Sequence, residues 1–336
     1  MLKKQLLGQN YTTNAEYIVR DLINIFPKDA KIIEPFAGNF DLINLFSTGD
    51  FECYDIDPQN SQTIKQDTLI NPPNYINKWI ITNPPYLARN KNKDKTIYNL
   101  YQVEDLYEAS ILSLIGCDGG ILILPLNFFC GKNNKIRKAF LSKYIIIKLK
   151  IFEEQVFKDT SYTVCAFCFI KKDNDSQELN ATFYPVLQNI SFNISLQDGY
   201  RIGNDFYKLL EHKSNNIKAT RLLIGQEPNT KIFLRTIDSG SMNGRIKLEI
   251  KEEPFYGKNT DRAFATISLN KTLSLEHQKI IVNTFNTIIE DNRKTYHSLF
   301  LTNFRNSTKS YARKRISFDD AYRLIEYIVD KIIYSS

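Results

Sequence analysis

Four consecutive residues combine an amide side chain, two prolines and an aromatic ring, a combination suited to binding a planar amino group. They are Asn83, Pro84, Pro85 and Tyr86. The prolines hold the backbone extended and lack amide hydrogens, so carbonyl oxygens remain available as acceptors. The Asn83 side-chain oxygen and the Pro84 carbonyl can therefore accept both hydrogens of one –NH2 group. Tyr86 adds a ring on which a planar substrate can stack. A turn that merely ends a strand is the structural alternative.

Polar residues also follow two earlier apolar runs, and their types point to a nucleoside. One segment consists of Glu34, Pro35, Phe36, Ala37 and Gly38, and the other begins with Asp55 and Ile56. Ligands of open parallel sheets bind beyond the carboxyl ends of the strands, where an acid such as Asp55 can accept hydrogen bonds from ribose hydroxyls. Gly38 permits a tight turn and a close backbone approach to a ligand. Together these segments predict a nucleoside-containing cofactor.

The elements that must position these residues alternate between strand and helix. Predicted helices at 15–26 and 100–115 separate short apolar strands at 31–33, 51–54, 79–82 and 120–124. This alternation predicts an α/β fold with a Rossmann-like parallel sheet. Two further strands, 144–152 and 162–170, are close in sequence and predict an antiparallel pair at the sheet edge.

A polar break at residues 173–177 predicts two domains, 1–172 and 173–336. The second is less regular, with strands predicted at 181–186 and 246–250 and helices at 275–290 and 318–333. That mixture predicts an α+β domain.

The charge of the chain favours a polyanionic partner. Lys and Arg number 44 against 37 Asp and Glu, which gives a net charge of +7. Seven basic and no acidic residues lie between positions 119 and 152, seven and none lie between 292 and 318, and a weaker cluster spans 89–95. Any one run is simply explained as a solvated face, but three runs in one chain favour binding to a polyanion.

The remaining composition excludes several classes of protein. No apolar run is long enough to span a membrane, and no membrane partner is expected. The N-terminus lacks the apolar core of a signal peptide. Five cysteines form no disulfide framework, which predicts reduced thiols and a cytoplasmic, intracellular location. The pair Cys165 and Cys168 lacks a second ligand pair, so no metal site is expected.

The order of these segments resembles that of the S-adenosylmethionine-dependent amino-methyltransferases, specifically the adenine-N6 DNA methyltransferases in their gamma arrangement. The resemblance covers about residues 8–170, and Asn83 to Tyr86 match the catalytic tetrapeptide of that family. It implies a methyltransferase sheet, S-adenosylmethionine as cofactor, and a segment at 8–13 that closes over the methionine part. The cofactor-binding residues that it implies are Tyr11, Thr12, Glu34, Pro35, Phe36, Ala37, Gly38, Asp55, Ile56 and Asp67.

The resemblance also implies the substrate and its contacts. A flipped-out adenine of double-stranded DNA would lie against Tyr86, and its amino group would attack the sulfonium methyl. Phe157 would supply a second aromatic face, with a core aromatic as the alternative. The residues expected to contact DNA are Arg89, Lys91 and Lys93 after the tetrapeptide, and Arg305, Lys309, Arg313, Lys314 and Arg315 in a C-terminal target-recognition domain. A restriction–modification role, with a cognate endonuclease for the same site, is the usual context of that family.

The sequence departs from the family pattern at two positions, and rival functions remain open. Asn39, which tolerates a left-handed backbone, replaces a frequent second glycine, and Thr13 replaces a usual proline. A second Asn-Pro-Pro segment, at 71–74, lacks a fourth aromatic residue and a preceding strand, so we interpret it as a loop. The alternatives are methylation of RNA adenine, methylation of a protein glutamine, and non-catalytic nucleic-acid binding on a decayed methyltransferase fold.

Overall fold

A computed structural model describes residues 8, 11–47, 49–158, 162–173, 175–238, 245–306 and 312–333. The chain packs as two units. Unit 1 comprises Met1–Arg201 with Asn306–Tyr311, and unit 2 comprises Ile202–Arg305 with Ala312–Ser336. Among the residues with assigned structure, no helix is long and apolar enough to cross a membrane.

Unit 1 is built on a mixed sheet in which the described residues form nine strands. In chain order these are β1 (Lys31–Glu34), β2 (Asp50–Asp55), β3 (Ile64–Lys65), β4 (Trp79–Thr82), β5 (Gly119–Pro125), β6 (Tyr144–Phe152), β7 (Val164–Lys171), β8 (Ser176–Tyr184) and β9 (Gln188–Ser195). Their order across the sheet is β3-β2-β1-β4-β5-β7-β6-β8-β9. The first five are parallel to one another, and β7 is antiparallel to both β5 and β6. The predicted α/β class, with a Rossmann-like sheet and an antiparallel β6–β7 pair, is confirmed. The pair does not lie at the sheet edge as predicted, because β8 and β9 continue the sheet beyond β6.

The helices of unit 1 are α1 (Ala15–Ile23), α2 (Thr96–Tyr101), α3 (Leu106–Ser113), α4 (Asn127–Cys130) and α5 (Lys135–Leu141), with 3-10 turns at Ile43–Leu45 and Arg89–Lys91. The single helix predicted over 100–115 is two helices. Gln102 ends α2 in a left-handed conformation, and Asp105 then starts α3 as its N-cap, accepting from the Tyr107 amide. These two caps break the apolar pattern that one long helix would have continued.

The sheet extends beyond the polar break where the domain boundary was predicted. Strand β8 begins at Ser176 and pairs in parallel with β6, and β9 returns antiparallel to β8. Leu179, Ala181 and Phe183 alternate along β8 and are buried. This alternation anchors β8 on the core, so unit 1 continues to Arg201.

Unit 2 contains an antiparallel sheet of β10 (Ala219–Arg221), β11 (Ile232–Arg235), β12 (Lys247–Ile250) and β13 (Phe264–Leu269), in the order β10-β13-β11-β12. A two-stranded sheet is formed by β14 (Thr302–Asn306) and β15 (Ala312–Arg315). The helices are α6 (Asn204–Leu210), α7 (Leu275–Tyr296) and α8 (Phe318–Ile328), and a π-helical turn follows at Val329–Ile333. The α+β character predicted for the C-terminal half is confirmed.

The core of unit 2 lies between one face of the four-stranded sheet and its long helices. Ile232 and Leu234 of β11 pack in one apolar cluster with Ile281 of α7 and Leu324 of α8. Both helices begin at a serine N-cap, Ser274 and Ser317, whose side chain accepts a backbone amide of the first turn. These caps satisfy amides that have no partner within the helix.

Candidate functional site

A cleft opens in unit 1 where the order of the parallel strands reverses between β1 and β4. Such a switch point is the usual ligand site of an open α/β sheet. Its empty volume is about 800 Å³ including space open to solvent. The cleft is lined by Tyr11, Phe36, Gly38, Asp55, Ile56, Gln66, Asp67, Thr68, Leu69, Asn83, Pro85, Asn92, Ile97 and Leu106.

The turn after β1 is held by the carboxylate at the end of β2. The Gly38 amide donates to Asp55 Oδ2 at 2.8 Å, and the Asp57 amide donates to Asp55 Oδ1 at 2.7 Å. Gly38 has a φ of 51°, and a side chain there would lie 3.3 Å from the Tyr11 ring. The next left-handed residue is Phe40, with a φ of 69°, rather than Asn39. The turn therefore keeps its shape without a second glycine.

Glu34 ends β1 at the floor of a smaller pocket, of about 230 Å³, that shares Tyr11, Gly38 and Asn83 with the cleft. Its side chain is buried, and Oε2 has no hydrogen-bond partner among the described residues. Burial, with the nearby Asp41 carboxylate, raises the pKa of Glu34 well above its usual range. A buried acceptor without a donor marks a place where a ligand with hydrogens to donate would be stabilised.

The other end of the cleft combines an acid with apolar walls. Asp67 Oδ1 accepts the Leu69 amide at 3.0 Å, and the Thr68 hydroxyl donates to the Pro35 carbonyl at 3.0 Å. The first bond shapes the segment after β3, and the second ties that segment to the one after β1. Ile56, Leu69, Ile97 and Leu106 supply apolar surface to the same cleft.

Asn83 lies directly after β4, and its amide is bonded on both sides. Its Nδ2 donates to Thr12 Oγ1 at 3.1 Å, and its Oδ1 lies 2.5 Å from the Tyr86 hydroxyl. That hydroxyl also lies 2.6 Å from the Ile123 carbonyl of β5. The side chain is buried but still lines the cleft. An amide held from two sides keeps its orientation without a ligand.

The predicted closing segment contacts the tetrapeptide directly. The Gly8 carbonyl accepts the Tyr86 amide at 2.9 Å. A side chain on Gly8 would lie 2.9 Å from the Leu87 Cβ, and its φ of 69° already favours glycine. Tyr11 lines the cleft and Thr12 binds Asn83. The segment thus places one side chain in the cleft and another on the tetrapeptide.

The two predicted stacking aromatics do not line the cleft. Tyr86 is 5% exposed, and its ring is met edge-on by Tyr107 and Tyr162. Phe157 is 1% exposed and belongs to the apolar core of unit 1. In this conformation Phe157 is a core aromatic, because a fully buried ring has no face to offer a base.

The loop after the tetrapeptide forms part of the cleft rim through Asn92. Arg89 donates to the Asn99 side chain at 2.6 Å. Lys91 and Lys93 are exposed and form no ion pair within the described residues. Two predicted cations are thus directed to solvent beside the cleft.

The C-terminal cations fall in different places. Lys309 lies outside the described residues. Arg305 lies in β14 and Arg313 in β15. Lys314 donates to the His297 carbonyl at 3.5 Å. Arg315 ends β15, and its pKa is lowered by burial and by the nearby Arg262 guanidinium.

Three cations of the basic run between residues 119 and 152 form contacts within unit 1. Arg137 is buried and donates to the Gly199 carbonyl at 2.7 Å. Lys148 and Lys150 both pair with Asp21, at 2.6 and 2.7 Å. These three cations are structural and do not form a free basic surface.

Six cleft residues were not predicted: Gln66, Thr68, Leu69, Asn92, Ile97 and Leu106. Gln66, Thr68 and Leu69 lie within two positions of Asp67 and could have been inferred from it. Asn92, Ile97 and Leu106 come from the rim loop and from α2 and α3, and no local signal marks them. The described residues contain no group of three potential metal ligands, and all five cysteines are buried thiols that form no disulfide.

No protein-family model matches this sequence, and no curated protein matches it. Several solved structures resemble part of the chain. A protein described as a class I S-adenosylmethionine-dependent methyltransferase from Listeria monocytogenes has a TM-score of 0.43 and 15% identity, covering 53% of this chain and 66% of its own. The type I restriction-modification methyltransferase subunit from Streptococcus thermophilus has a TM-score of 0.39 and 14% identity, covering 53% and 49%.

A third similar structure is a nuclease-deletion mutant of the type ISP restriction-modification enzyme LlaGI in complex with a DNA substrate mimic. Its TM-score is 0.44 and its identity 12%, covering 64% of this chain and 34% of its own. The present chain thus spans between 34% and 66% of the length of these three proteins. The similarities concern part of each fold, and the function must be argued from the site.

Proposed function

We propose that this chain transfers a methyl group from S-adenosylmethionine to the N6 amino group of a flipped-out adenine in double-stranded DNA. The observation that carries the proposal is the pre-oriented Asn83 amide at a strand end, lining a cleft that Asp55 and Asp67 also line. A buried amide followed by two prolines offers two acceptors to one amino group. The proposal also includes a target-recognition role for the C-terminal part of the chain and a restriction–modification context with a cognate endonuclease.

The cleft residues fit S-adenosylmethionine in their chemistry. Asp55 would accept hydrogen bonds from the ribose, since its carboxylate lines the cleft and is held in place by the backbone amides of Gly38 and Asp57. Asp67 would bind beside the adenine, between apolar walls from Leu69 and Ile97. Glu34, with its orphaned Oε2, would face the amino group of the methionine part. Tyr11 would cover that part from the closing segment.

The bound cofactor would supply an electrophilic sulfonium methyl group, which is already activated for transfer. The protein therefore needs to position an amino group and does not need a strong base or a covalent nucleophile. Asn83 Oδ1 and the Pro84 carbonyl would accept from the amino group and stabilise the positive charge that develops on its nitrogen. Pro85, which lines the cleft, would limit where the base can lie.

Tyr86 would act first through its hydroxyl. In the described conformation the Tyr86 hydroxyl is within hydrogen-bond distance of Asn83 Oδ1 and of the Ile123 carbonyl. Burial raises the pKa of Tyr86 well above the usual value. The hydroxyl therefore stays a neutral donor at any physiological pH. The predicted stacking of adenine on this ring requires the ring to become accessible.

The test compares Asn83→Ala with Asn71→Ala. Asn71 also precedes two prolines, but it is exposed and lies outside the cleft. We expect Asn83→Ala to bind S-adenosylmethionine normally by calorimetry and to lose methyl transfer by on the order of 10²-fold or more, as for loss of one charge-stabilising group. Asn71→Ala should match the wild type.

The substrate class is decided by the wild-type chain. Methyl-labelled cofactor is offered with duplex DNA, RNA and protein in separate reactions, and N6-methyladenine is mapped in labelled DNA. Label in RNA or in a glutamine side chain would instead support the corresponding rival function. Cofactor binding without label in any substrate would support the non-catalytic rival, and full activity of Asn83→Ala would refute the catalytic site.

A further inference from the structure

The four-stranded sheet of unit 2 has a second face, which points away from its helices. Side chains alternate between the two faces along a strand. Ile232 and Leu234 of β11 belong to the core, so Phe233 and Arg235 point to the opposite side. Phe264 of β13 is paired with Arg235, and Glu249 of β12 is paired with Phe233. Paired residues of neighbouring strands share a face, so these side chains form one surface.

Three phenylalanines form the centre of this surface. The rings of Phe233 and Phe264 are stacked, with centroids 5.8 Å apart and planes 19° from parallel. Phe255 meets both rings edge-on, at 6.3 and 6.4 Å. It is 36% exposed, which is high for a large aromatic side chain. The surface therefore combines two stacked rings, Phe233 and Phe264, with a third ring, Phe255, that reaches solvent.

Cations surround these rings. Lys251 Nζ lies 3.6 Å from the centre of the Phe233 ring, and the Arg235 guanidinium lies 4.9 Å from the centre of the Phe264 ring. Cation–π contacts of this kind fix the position of a side chain without neutralising its charge. The cations are therefore held against the phenylalanine rings and remain charged.

Two more arginines extend the same surface. Arg262 is exposed, lies just before β13, and is close enough for its charge to act on Arg315. Arg315 is bridged to Ile237, which is two positions beyond Arg235. The lowered pKa of Arg315 is caused by burial and by Arg262. We call Arg235, Lys251, Arg262 and Arg315, with the three phenylalanines, the cationic face.

The cationic face is not balanced by acids. None of its four cations forms an ion pair with a carboxylate in the part of the chain that the structure describes. Glu249 points to this side, but Lys247 pairs with it at 2.7 Å. The Nε atoms of Arg235 and Arg315 are buried without a hydrogen-bond partner among the described residues. Like charges held together in this way need an external anion for stabilisation.

We propose that the cationic face binds the phosphate backbone of duplex DNA. The inference rests on the proposed function, which makes DNA the substrate. Phosphate contacts supply most of the affinity of DNA-binding proteins, and arginine and lysine on a rigid base are the groups that make them. The sequence runs rich in basic residues do not contain Arg235, Lys251 or Arg262, which only the pairing of β11, β12 and β13 brings together.

The experiment uses the double variant Lys251→Gln, Arg262→Gln in the full chain, because both side chains are exposed. The matched control is Lys213→Gln, Lys218→Gln, which removes two exposed cations of unit 2. Lys218 lies beside Asn270, beyond the end of β13 opposite to Arg262. Affinity for a short fluorescent duplex is measured at 50 and 200 mM salt.

Each lost phosphate contact reduces the slope of log affinity against log salt by about 0.9. The double variant should therefore lose about 1.8 in slope, so that its affinity falls about twelvefold less between the two salt concentrations than that of the wild type. The loss should be the same for specific and non-specific duplexes, because phosphates carry no sequence. The control should retain the wild-type slope, and S-adenosylmethionine binding should be unchanged in every variant.

Different results would refute the proposed function and the DNA-binding role of the cationic face. A wild-type chain that methylates no DNA would refute the proposed function. A wild-type chain that methylates DNA, with a double variant whose salt slope equals that of wild type, would overturn the inference alone. Equal slope losses in the double variant and the control would overturn it too, because they would show a general charge effect.

Discussion

Replacing Arg137 by methionine should destabilise unit 1, although this arginine lies in a basic run that first suggests nucleic-acid binding. Its side chain is 1% exposed. It donates to the carbonyls of Gly199 at 2.7 Å and Phe128 at 2.8 Å, and over longer distances to those of Gly131 and Asn133. One guanidinium therefore joins four backbone positions of unit 1.

The size of the effect follows from the two short bonds. A buried carbonyl that loses its donor costs about 1–3 kcal/mol, so the two together cost about 2–6 kcal/mol. Burial also disfavours the charge itself and lowers the pKa of Arg137 to about 10. Removing the buried charge also removes its desolvation cost, which offsets part of this destabilisation. We therefore expect a net decrease of about 2–4 kcal/mol in the free energy of unfolding. Total stabilities of about 5–15 kcal/mol make this a large change.

The single tryptophan, Trp79 in β4, gives an assay that reports on unit 1 alone. Urea unfolding followed by its fluorescence should show a midpoint lowered by about 1 M for Arg137→Met, with an unchanged slope. Lys135→Met, at an exposed position of the same helix α5, should change stability by less than about 0.5 kcal/mol. A wild-type midpoint for Arg137→Met, together with weakened DNA binding, would refute the structural role.

Two further predictions concern the tetrapeptide and its support. Thr12→Val removes the hydrogen bond from Asn83 Nδ2 to Thr12 Oγ1, and a loss of about 1.4 kcal/mol should reduce methyl transfer about tenfold. S-adenosylmethionine affinity should hold and Thr12→Ser should remain active; equal activity of the two variants in steady-state assays would contradict this. Burial raises the pKa of Asp105 to about 7, above about 3.9 in the unfolded chain, so the folded state holds an extra proton between these values. Stability should therefore fall as pH rises from about 4 to about 7, and Asp105→Asn should flatten this dependence in Trp79 unfolding curves; an unchanged pH profile would exclude Asp105 as its source.

The parts of the fold and site that depend on local sequence could be predicted. Short apolar runs ending in Glu34, Asp55 and Asn83 become β1, β2 and β4, and their carboxyl ends meet in one cleft. This follows because strand period, turn residues and parallel topology are all local or general constraints. The Asn-Pro-Pro segment at 71–74 contributes no residue to the cleft lining, which the lack of a preceding strand had indicated.

Features set by distant contacts could not be predicted. The burial of Tyr86 depends on the Ile123 carbonyl and on Tyr162, and the role of Arg137 depends on Gly199. A count of basic residues cannot tell a cation that binds backbone carbonyls from one that faces solvent. The same limitation explains why β8 continues the sheet beyond a polar break, because its partner β6 lies more than twenty residues earlier.

Under the proposed function, the contacts of the closing segment imply a thermodynamic linkage between the methyl donor and the acceptor base. Gly8 and Thr12 bind the tetrapeptide, while Tyr11 lines the cofactor cleft. A ligand that binds Tyr11 in the cleft therefore acts on the same segment that contacts the tetrapeptide through Gly8 and Thr12. Such coupling is reciprocal, so a methyl donor that raises the affinity for a target base must itself be bound more tightly, by the same factor, when that base is present. Departure of the spent cofactor would then weaken the hold on the methylated base.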